Sequence, residues 1–353
     1  MSARPFSDQA IAAQDIPDDS QLAVSFRLLL GLYAIIPLCL SLQLLDSWFW
    51  QGFLQEHLPS SPKQFLLFQI IFGTPHIVAS SILLASNTEY LKFYKLKIIL
   101  MTLAIMMIFG VGSLFISYKA LYVTVAAWTV YHVLKQQLGV GRGVYRLPDW
   151  AFYLILWLSV AAGIFVYIGI FLKNSLDTQQ LELIKLVAGG LCAGLVCGAL
   201  LCRRYVTTQS GRYFLWSNVL LVLSSFYLFV QQYYFLAILV PRLVHDATAY
   251  IFYVVHDYNK HHSHPQNFMY RYAARCHVPV FIVLPLCSFL LAFVLQSYGD
   301  GAFNTLTEFL FGVEINKAVT LGFLGYLALM HYYTEAFTWK QGSPYRRFIA
   351  FSK

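Results

Sequence analysis

Apolar stretches of about 20 residues recur along the chain, and each is long enough to cross the ~30 Å hydrocarbon core of a bilayer. Short polar breaks separate them, and no long polar linker divides the chain. The pattern predicts an all-α, polytopic membrane helix bundle of about ten transmembrane helices in a single domain, residues 23–340. A polar N-terminal tail (1–22) precedes the domain and a basic C-terminal tail (341–353) follows it. The predicted spans are 24–45, 64–86, 97–118, 119–140, 149–172, 181–202, 212–231, 233–257, 277–297 and 317–339.

The composition supports the membrane class. Hydrophobic residues make up 59% of the 353 residues and charged residues only 11%, with a mean hydropathy of +0.62. A soluble domain averages about 25% charged residues. The six cysteines form no Cys-x-x-Cys pair, so we expect them to pack in the apolar interior and not to form disulfides or a thiolate metal site.

The net charge of +8 is distributed unevenly along the chain. If successive spans alternate in direction, 18 of the 24 Lys and Arg residues fall on the side of the N-terminus and five on the opposite side, while Arg242 lies inside a span. The positive-inside rule then predicts that both termini are cytoplasmic. Topology and contact with anionic membrane lipids account for the charge, which excludes nucleic acid as a partner. We expect a multi-pass protein of the bacterial inner membrane.

Four histidines lie at nearly the same depth in four predicted spans that run in the same direction: His76, His132, His245 and His331. Each follows the start of its span by 12 to 14 residues, a spread of about 3 Å at the helical rise per residue. Ionisable side chains within a membrane usually face the bundle interior and need a partner. The four imidazoles therefore predict a metal centre. The alternative is that each histidine hydrogen-bonds a neighbouring helix separately.

Polar neighbours extend the predicted site. Residues four positions apart lie on the same helical face, which places Gln136 beside His132 and Glu335 beside His331. Glu335 is expected to be a carboxylate ligand of the metal or a partner of His331. The residues expected to orient ligands or to handle protons during catalysis are Asp246, Lys135 and Gln136.

His256 is a further candidate metal ligand, but it is separated from the layer. It follows His245 by eleven residues, which is about 16 Å along the helix and too far for one small mononuclear site. With Asp257, it is expected near the cytoplasmic mouth of the bundle. There it would bind a second metal, form part of a proton path or contact a substrate headgroup.

The segment Gly73-Thr74-Pro75-His76 resembles a motif of the membrane β-carotene dioxygenases of rhodopsin-bearing bacteria. That family has a Gly-x-Pro-His at mid-membrane, further histidines on later helices, and a late histidine followed four residues on by an acid. His331 and Glu335 match that last feature. The resemblance implies non-heme iron held by histidines and oxidative cleavage of a long polyene. The residues that it makes candidate iron ligands are His76, His132, His245 and His331.

Two positions depart from the pattern of that family. Its second histidine is followed by Phe-Gly and an acid, whereas Val133-Leu134-Lys135 follows His132 here. Its third motif pairs two histidines four residues apart, but Ala249 stands four residues after His245. The resemblance covers short patches in four spans, so it is a hint of architecture and does not identify the substrate.

The leading hypothesis is a membrane oxidoreductase or oxygenase that uses non-heme iron, since imidazole and carboxylate ligands with open positions suit iron and oxygen chemistry. Its substrate would be a lipid, a carotenoid or another long apolar molecule from the bilayer, lying along aromatic residues such as Tyr250 and Tyr253. The chain contains no sign of a fused reductase, and a separate electron donor is a further candidate partner. Zinc is an alternative metal. The alternative functions are b-type haem electron transfer and transport of metal ions or protons.

Overall fold

The structure, a computed structural model, describes residues 21–60, 69–340 and 342–352. These residues are almost entirely helical, as the apolar pattern predicts, with two strands of three residues. Most of the predicted N-terminal tail (1–22) and the start of the second predicted span (64–86) lie outside the described residues. The helices are α1 (Phe26–Phe49), α2 (Phe53–His57), α3 (Gln69–Ser86), α4 (Thr88–Leu114), α5 (Tyr118–Tyr145), α6 (Asp149–Phe171), α7 (Thr178–Tyr205), α8 (Gln209–Val230), α9 (Tyr234–His261), α10 (Phe268–Arg275), α11 (Val280–Phe311) and α12 (Leu324–Thr338).

Eight helices among the described residues are long and apolar enough to cross a membrane, which makes the chain a helical membrane protein by length and composition. They coincide with eight of the ten predicted spans. The other two predicted spans, 119–140 and 317–339, are also helical, as α5 and as α12 with the π-helical turn before it. These two helices are less apolar because they carry polar residues of the histidine layer.

Two helices differ most from their predicted bounds. α4 begins at Thr88, well before residue 97, because the helix continues through Lys92 and Lys95 outside the apolar run. α11 extends past residue 297 and ends at Gly312, whose φ of 65° suits the helix-terminating position that glycine favours. The two predicted tight joints are found, one between α4 and α5 and one between α8 and α9.

The four helices that carry the histidines form a closed ring inside the bundle. α3 packs against α9 and α12, and α5 packs against the same two helices. α6 and α8 pack outside α5, while α11 covers α3 and α9. Each helix of the ring therefore turns one face toward a shared interior.

A proline shapes α9 one turn before His245. Pro241 has no N–H, so the carbonyl oxygen of Ala237 lacks its helical partner. Ser225 of α8 donates its hydroxyl to that oxygen at 2.6 Å. The bond keeps a buried backbone acceptor satisfied and ties α8 to the irregular turn.

π-Helical turns precede two of the four histidines. One covers Gln69–Gly73 and leads directly into the segment that carries His76. The other covers Ala318–Phe323 and leads into α12, which carries His331. Such turns are rare in proteins and are found frequently at functional sites.

Both described ends of the chain meet at one end of the bundle. β1 (Ala23–Ser25) pairs in parallel with β2 (Ala350–Ser352). Asn259 of α9 binds the chain beside each strand: its side chain exchanges two hydrogen bonds with the backbone of Leu22 and donates a third to the carbonyl of Phe348. We call this end of the molecule the paired end.

The segment predicted as a basic C-terminal tail is packed against the bundle over residues 342–352. Tyr345 and Ile349 are buried in the main apolar core. Its 3₁₀ turn, Arg346–Phe348, leads into β2. Two buried side chains and a strand pairing thus hold in place the part of the predicted basic tail that lies at residues 342–352.

Replacing Asn259 by alanine should destabilise the paired end. The change removes three partly buried hydrogen bonds and takes the side-chain partner from backbone groups of Leu22 and Phe348, at a cost of about 1–3 kcal/mol. Thermal unfolding in detergent should show a lower midpoint for Asn259→Ala. Asn174→Ala, which alters an exposed asparagine, is the matched control and should unfold like the parent; equal midpoints for both variants would contradict the prediction.

Candidate metal centre

The four predicted histidines converge. Ring centroids of adjacent histidines around the helix ring lie 4.8 to 5.2 Å apart, and the diagonal pair His245 and His331 lies 6.5 Å apart. All four side chains are buried, with His132 the most exposed at 6%. Depth along the spans predicted a common level, and the structure adds that the four faces point at one another.

The imidazoles carry an unusual number of unpartnered nitrogens. Among the described residues, six of their eight ring nitrogens are buried and have no hydrogen-bond partner: His76 Nε2, His132 Nε2, both nitrogens of His245 and both nitrogens of His331. A buried polar group without a partner costs about 1–3 kcal/mol. Each ring therefore has at least one nitrogen free to act as a lone-pair donor, and only one nitrogen of a ring can face a common centre because the two point in different directions.

Glu335 joins the cluster from α12. Its Oε2 atom lies 3.4 Å from His132 Nε2 and 3.6 Å from His331 Nε2. Gln136 Nε2 donates to the same oxygen at 2.9 Å, and the hydroxyl of Tyr253 donates to Oε1. Side chains of α5 and α9 therefore hold one buried carboxylate of α12. Within α12, Glu335 lies one turn after His331 on the same helical face.

Asp246 lies on the other side of the cluster, paired with a buried cation. Its Oδ2 is 3.2 Å from Arg242 Nε, and its Oδ1 is 3.3 Å from His76 Nδ1. Arg242 also donates to the carbonyl of Gly73 at 3.4 Å. A Cβ atom at residue 73 would stand 3.3 Å from the guanidinium, so glycine lets the two helices approach.

These contacts orient His76. Its Nδ1 lies 3.3 Å from Asp246 Oδ1 and 3.3 Å from the carbonyl oxygen of Phe72, so the network assigns the ring proton to Nδ1. Nε2 is then left as a lone-pair donor, and it has no partner. Metal-bound histidines characteristically use one nitrogen in this way while an outer carboxylate or carbonyl holds the other.

Two triads offer ligand atoms within 4.8 Å of one another, and they share His331. One contains His76, His245 and His331, and the other contains His132, His331 and Glu335. Two ligands at about 2.1 Å from one ion are separated by at most about 4 Å, so the observed spacing is slightly wide. The donor types are ones that could hold a metal ion.

The other predicted site residues lie apart from the cluster. Lys135 Nζ sits 4.8 Å from the ring centre of Tyr131. His256 is fully buried, but Tyr90 and Asp257 occupy its two nitrogens at 2.7 and 2.8 Å. Of the six residues predicted as metal ligands, His256 thus belongs to a different cluster, and its engaged nitrogens are not free for a metal.

Two residues of the site were not assigned to it from the sequence. Arg242 was noted only as a basic residue within a span, although its spacing of four from Asp246 on a membrane helix was a usable signal for a buried ion pair. Tyr253 was expected along a substrate tunnel, whereas its hydroxyl binds Glu335. No periodicity indicated that contact, because it depends on the rotation of α9 against α12.

Comparisons of the chain with protein-family models, curated proteins and solved structures found no match. The resemblance of residues 73–76 to the β-carotene dioxygenases therefore stays a prediction.

Replacing Arg242 by methionine should strongly destabilise the protein, because it strands the buried carboxylate of Asp246. Breaking one partner of a buried pair costs about 3–5 kcal/mol. A double variant, Arg242→Met with Asp246→Asn, should recover much of the loss, since it removes the stranded charge. Thermal unfolding of all three proteins measures the effect, with the exposed Arg203→Met as control. A double variant no more stable than Arg242→Met would contradict the pairing.

Proposed function

We propose that the chain is a membrane-embedded, iron-dependent oxidoreductase whose centre is the buried cluster of four histidines and Glu335. The observation that carries the proposal is the meeting of four buried histidines, each of which has at least one ring nitrogen without a hydrogen-bond partner. Hydrogen bonding between helices, the alternative explanation, would pair these atoms with neighbours. Instead, the nitrogen of His76 that has a partner, Nδ1, faces away from the other histidines and toward Asp246.

Charge supports a cation at this point. With neutral imidazoles, the ionised groups beside the cluster are Arg242, whose side chain is 11% exposed, and the buried Asp246 and Glu335, which leaves one net negative charge. A charge within a membrane protein needs compensation. A bound cation would offset it, and a divalent ion would leave one net positive charge.

The ligand set suits iron. The triad of His132, His331 and Glu335 has the two-histidine, one-carboxylate composition typical of non-heme iron(II) oxygenases, which catalytic zinc sites share, so metal analysis decides between the two ions. Bound iron would supply dioxygen activation and one-electron chemistry. The residues of the chain would orient the ligands, through Asp246, Gln136 and Tyr253, and would keep bulk water from the centre.

A haem is disfavoured by the packing of the rings. A macrocycle between two axial histidines needs an open slot, and here the other two imidazoles fill that space at centroid distances near 5 Å. Transport of metal ions or protons is the second alternative. It predicts flux into liposomes, whereas an enzyme centre predicts bound metal without flux.

The substrate that we propose is a long apolar molecule from the bilayer, with a carotenoid or another lipid as the class. The outer surface carries many exposed large apolar side chains, Leu96, Leu186 and Phe311 among them, which supports contact with lipid. We further propose ten transmembrane helices with both termini cytoplasmic in a bacterial inner membrane, and a separate electron donor on the basic side.

Metal analysis tests the centre directly. Full-length protein purified without chelators should contain iron in a fixed ratio to the chain, and His76→Ala, His132→Ala, His245→Ala, His331→Ala and Glu335→Ala should each lower that ratio at least several-fold. His57→Ala is the matched control, since His57 is exposed and lies on α2, which is not one of the four helices of the ring. Iron-free protein of native thermal stability would overturn the proposed metal centre, and loss in only two variants would point to a different ligand set.

The substrate class has its own test. A bacterium that accumulates β-carotene should lose colour when it expresses the parent chain, and apolar cleavage products should appear in its extract. Cells expressing Glu335→Ala or His331→Ala should keep their colour, while His57→Ala should act like the parent. Retained colour with iron-loaded parent protein would exclude this polyene and leave other lipids as the class to screen.

A further inference from the structure

A second buried polar cluster lies on the same helix as the centre, toward the paired end. His256 of α9 connects two partners: its Nδ1 binds Asp257 Oδ1 at 2.8 Å, and its Nε2 binds the hydroxyl of Tyr90 at 2.7 Å. Tyr270 of α10 donates to the other oxygen of Asp257. The ring of Tyr345 stacks on His256, with centroids 4.3 Å apart. The proposed metal chemistry leaves this cluster without a role.

A small cavity separates the second cluster from Glu335. Its volume is about 10 Å³, close to the ~10–15 Å³ that one water molecule requires. Residues of both clusters line it: Tyr90 and Tyr345 from one side, Tyr253 and Glu335 from the other. Ser80 and Thr334 add further hydroxyls to the wall.

One hydroxyl at this cavity stands out. The hydroxyl oxygen of Tyr345 has no hydrogen-bond partner, and water cannot reach it from outside because the residue is only 2% exposed. The hydroxyls of Tyr90 and Tyr253 already donate hydrogen bonds to His256 and Glu335. Each of these two oxygens therefore still has acceptor capacity toward the cavity.

We propose that the cavity binds one ordered water molecule, which accepts from Tyr345 and donates to Tyr90 and Tyr253. Three such bonds are the usual number for a buried water. The water completes a hydrogen-bonded chain that runs from Tyr270 and Asp257 through His256, Tyr90 and Tyr253 to Glu335. When His256 gains a proton, its Nε2 donates to Tyr90 and the hydroxyl of Tyr90 turns to donate to the water, which donates to Tyr253, which donates to Glu335. Each group then gives up one proton and receives one, and the buried histidine centre exchanges protons with the paired end of the molecule.

The role of the chain rests on the proposed function, because an oxygenase centre sealed from bulk water needs a route for protons. The water site itself does not depend on a metal. It follows from the cavity and from the orphaned hydroxyl of Tyr345. It can therefore be tested in metal-free protein.

The test is the rate of deuterium uptake at the histidine ring N–H groups, measured by NMR on metal-free full-length protein in lipid nanodiscs, labelled with ¹⁵N only at histidine. The signals of His76, His132, His245 and His331 are assigned from their alanine variants. Tyr345→Phe removes the hydroxyl that anchors the water, and Tyr90→Phe removes the link to His256. Each should slow uptake at the centre by about tenfold or more, the effect of losing about one hydrogen bond from the path.

Tyr94→Phe is the matched control, because Tyr94 is a buried tyrosine one turn after Tyr90 on the same helix and does not line the cavity. It should leave the rate unchanged. Unchanged rates in both Tyr345→Phe and Tyr90→Phe, or an equal slowing in Tyr94→Phe, would overturn the proposal. The iron content of the parent, measured separately, decides the proposed function, so the two can fail independently.

Discussion

The burial of four imidazoles that together leave six ring nitrogens without hydrogen-bond partners is the constraint on which the rest of the structure depends. Within a membrane, water cannot satisfy a stranded polar atom, and each one weighs against folding. Six such nitrogens lie at one place here, on helices far apart in sequence. A bound cation would turn this cost into ligand bonds. The helix ring, the ion pair and the polar network all act to hold those nitrogens facing inward.

The surroundings of the centre differ on its two sides. On one side, Arg242 and Asp246 form a tight pair that fixes His76 and approaches the backbone at Gly73. On the other side, Glu335 is held by Gln136 and Tyr253, and hydroxyl groups continue toward the paired end. The first arrangement is closed and rigid, whereas the second leads to a cavity. An asymmetry of this kind suits a site that must keep its ligands fixed and still exchange protons in one direction.

Depth could be predicted from the sequence because it depends only on rise per residue and on where apolar runs begin. This is why the common level of His132 and His331, and the helical step from His331 to Glu335, were predictable. Rotation and partner choice depend on the packing of helices distant in sequence. Gln136 pairs with Glu335 on another helix, a contact that the periodicity of the sequence could not predict. His256 shows the same limit, since burial and spacing alone did not reveal that Tyr90 and Asp257 occupy its ring.

Two of the four helices that build the centre are less apolar than the eight candidate spans. α5 and α12 are not among the eight helices that are apolar enough to span a membrane on hydropathy alone, yet they supply His132, Gln136, His331 and Glu335. These four polar residues point into the ring, where neighbouring helices separate them from lipid. A helix of low hydropathy among apolar helices is therefore expected to turn its polar face toward the interior of the bundle. In this chain low hydropathy marks the two helices that bring the carboxylate to the histidines.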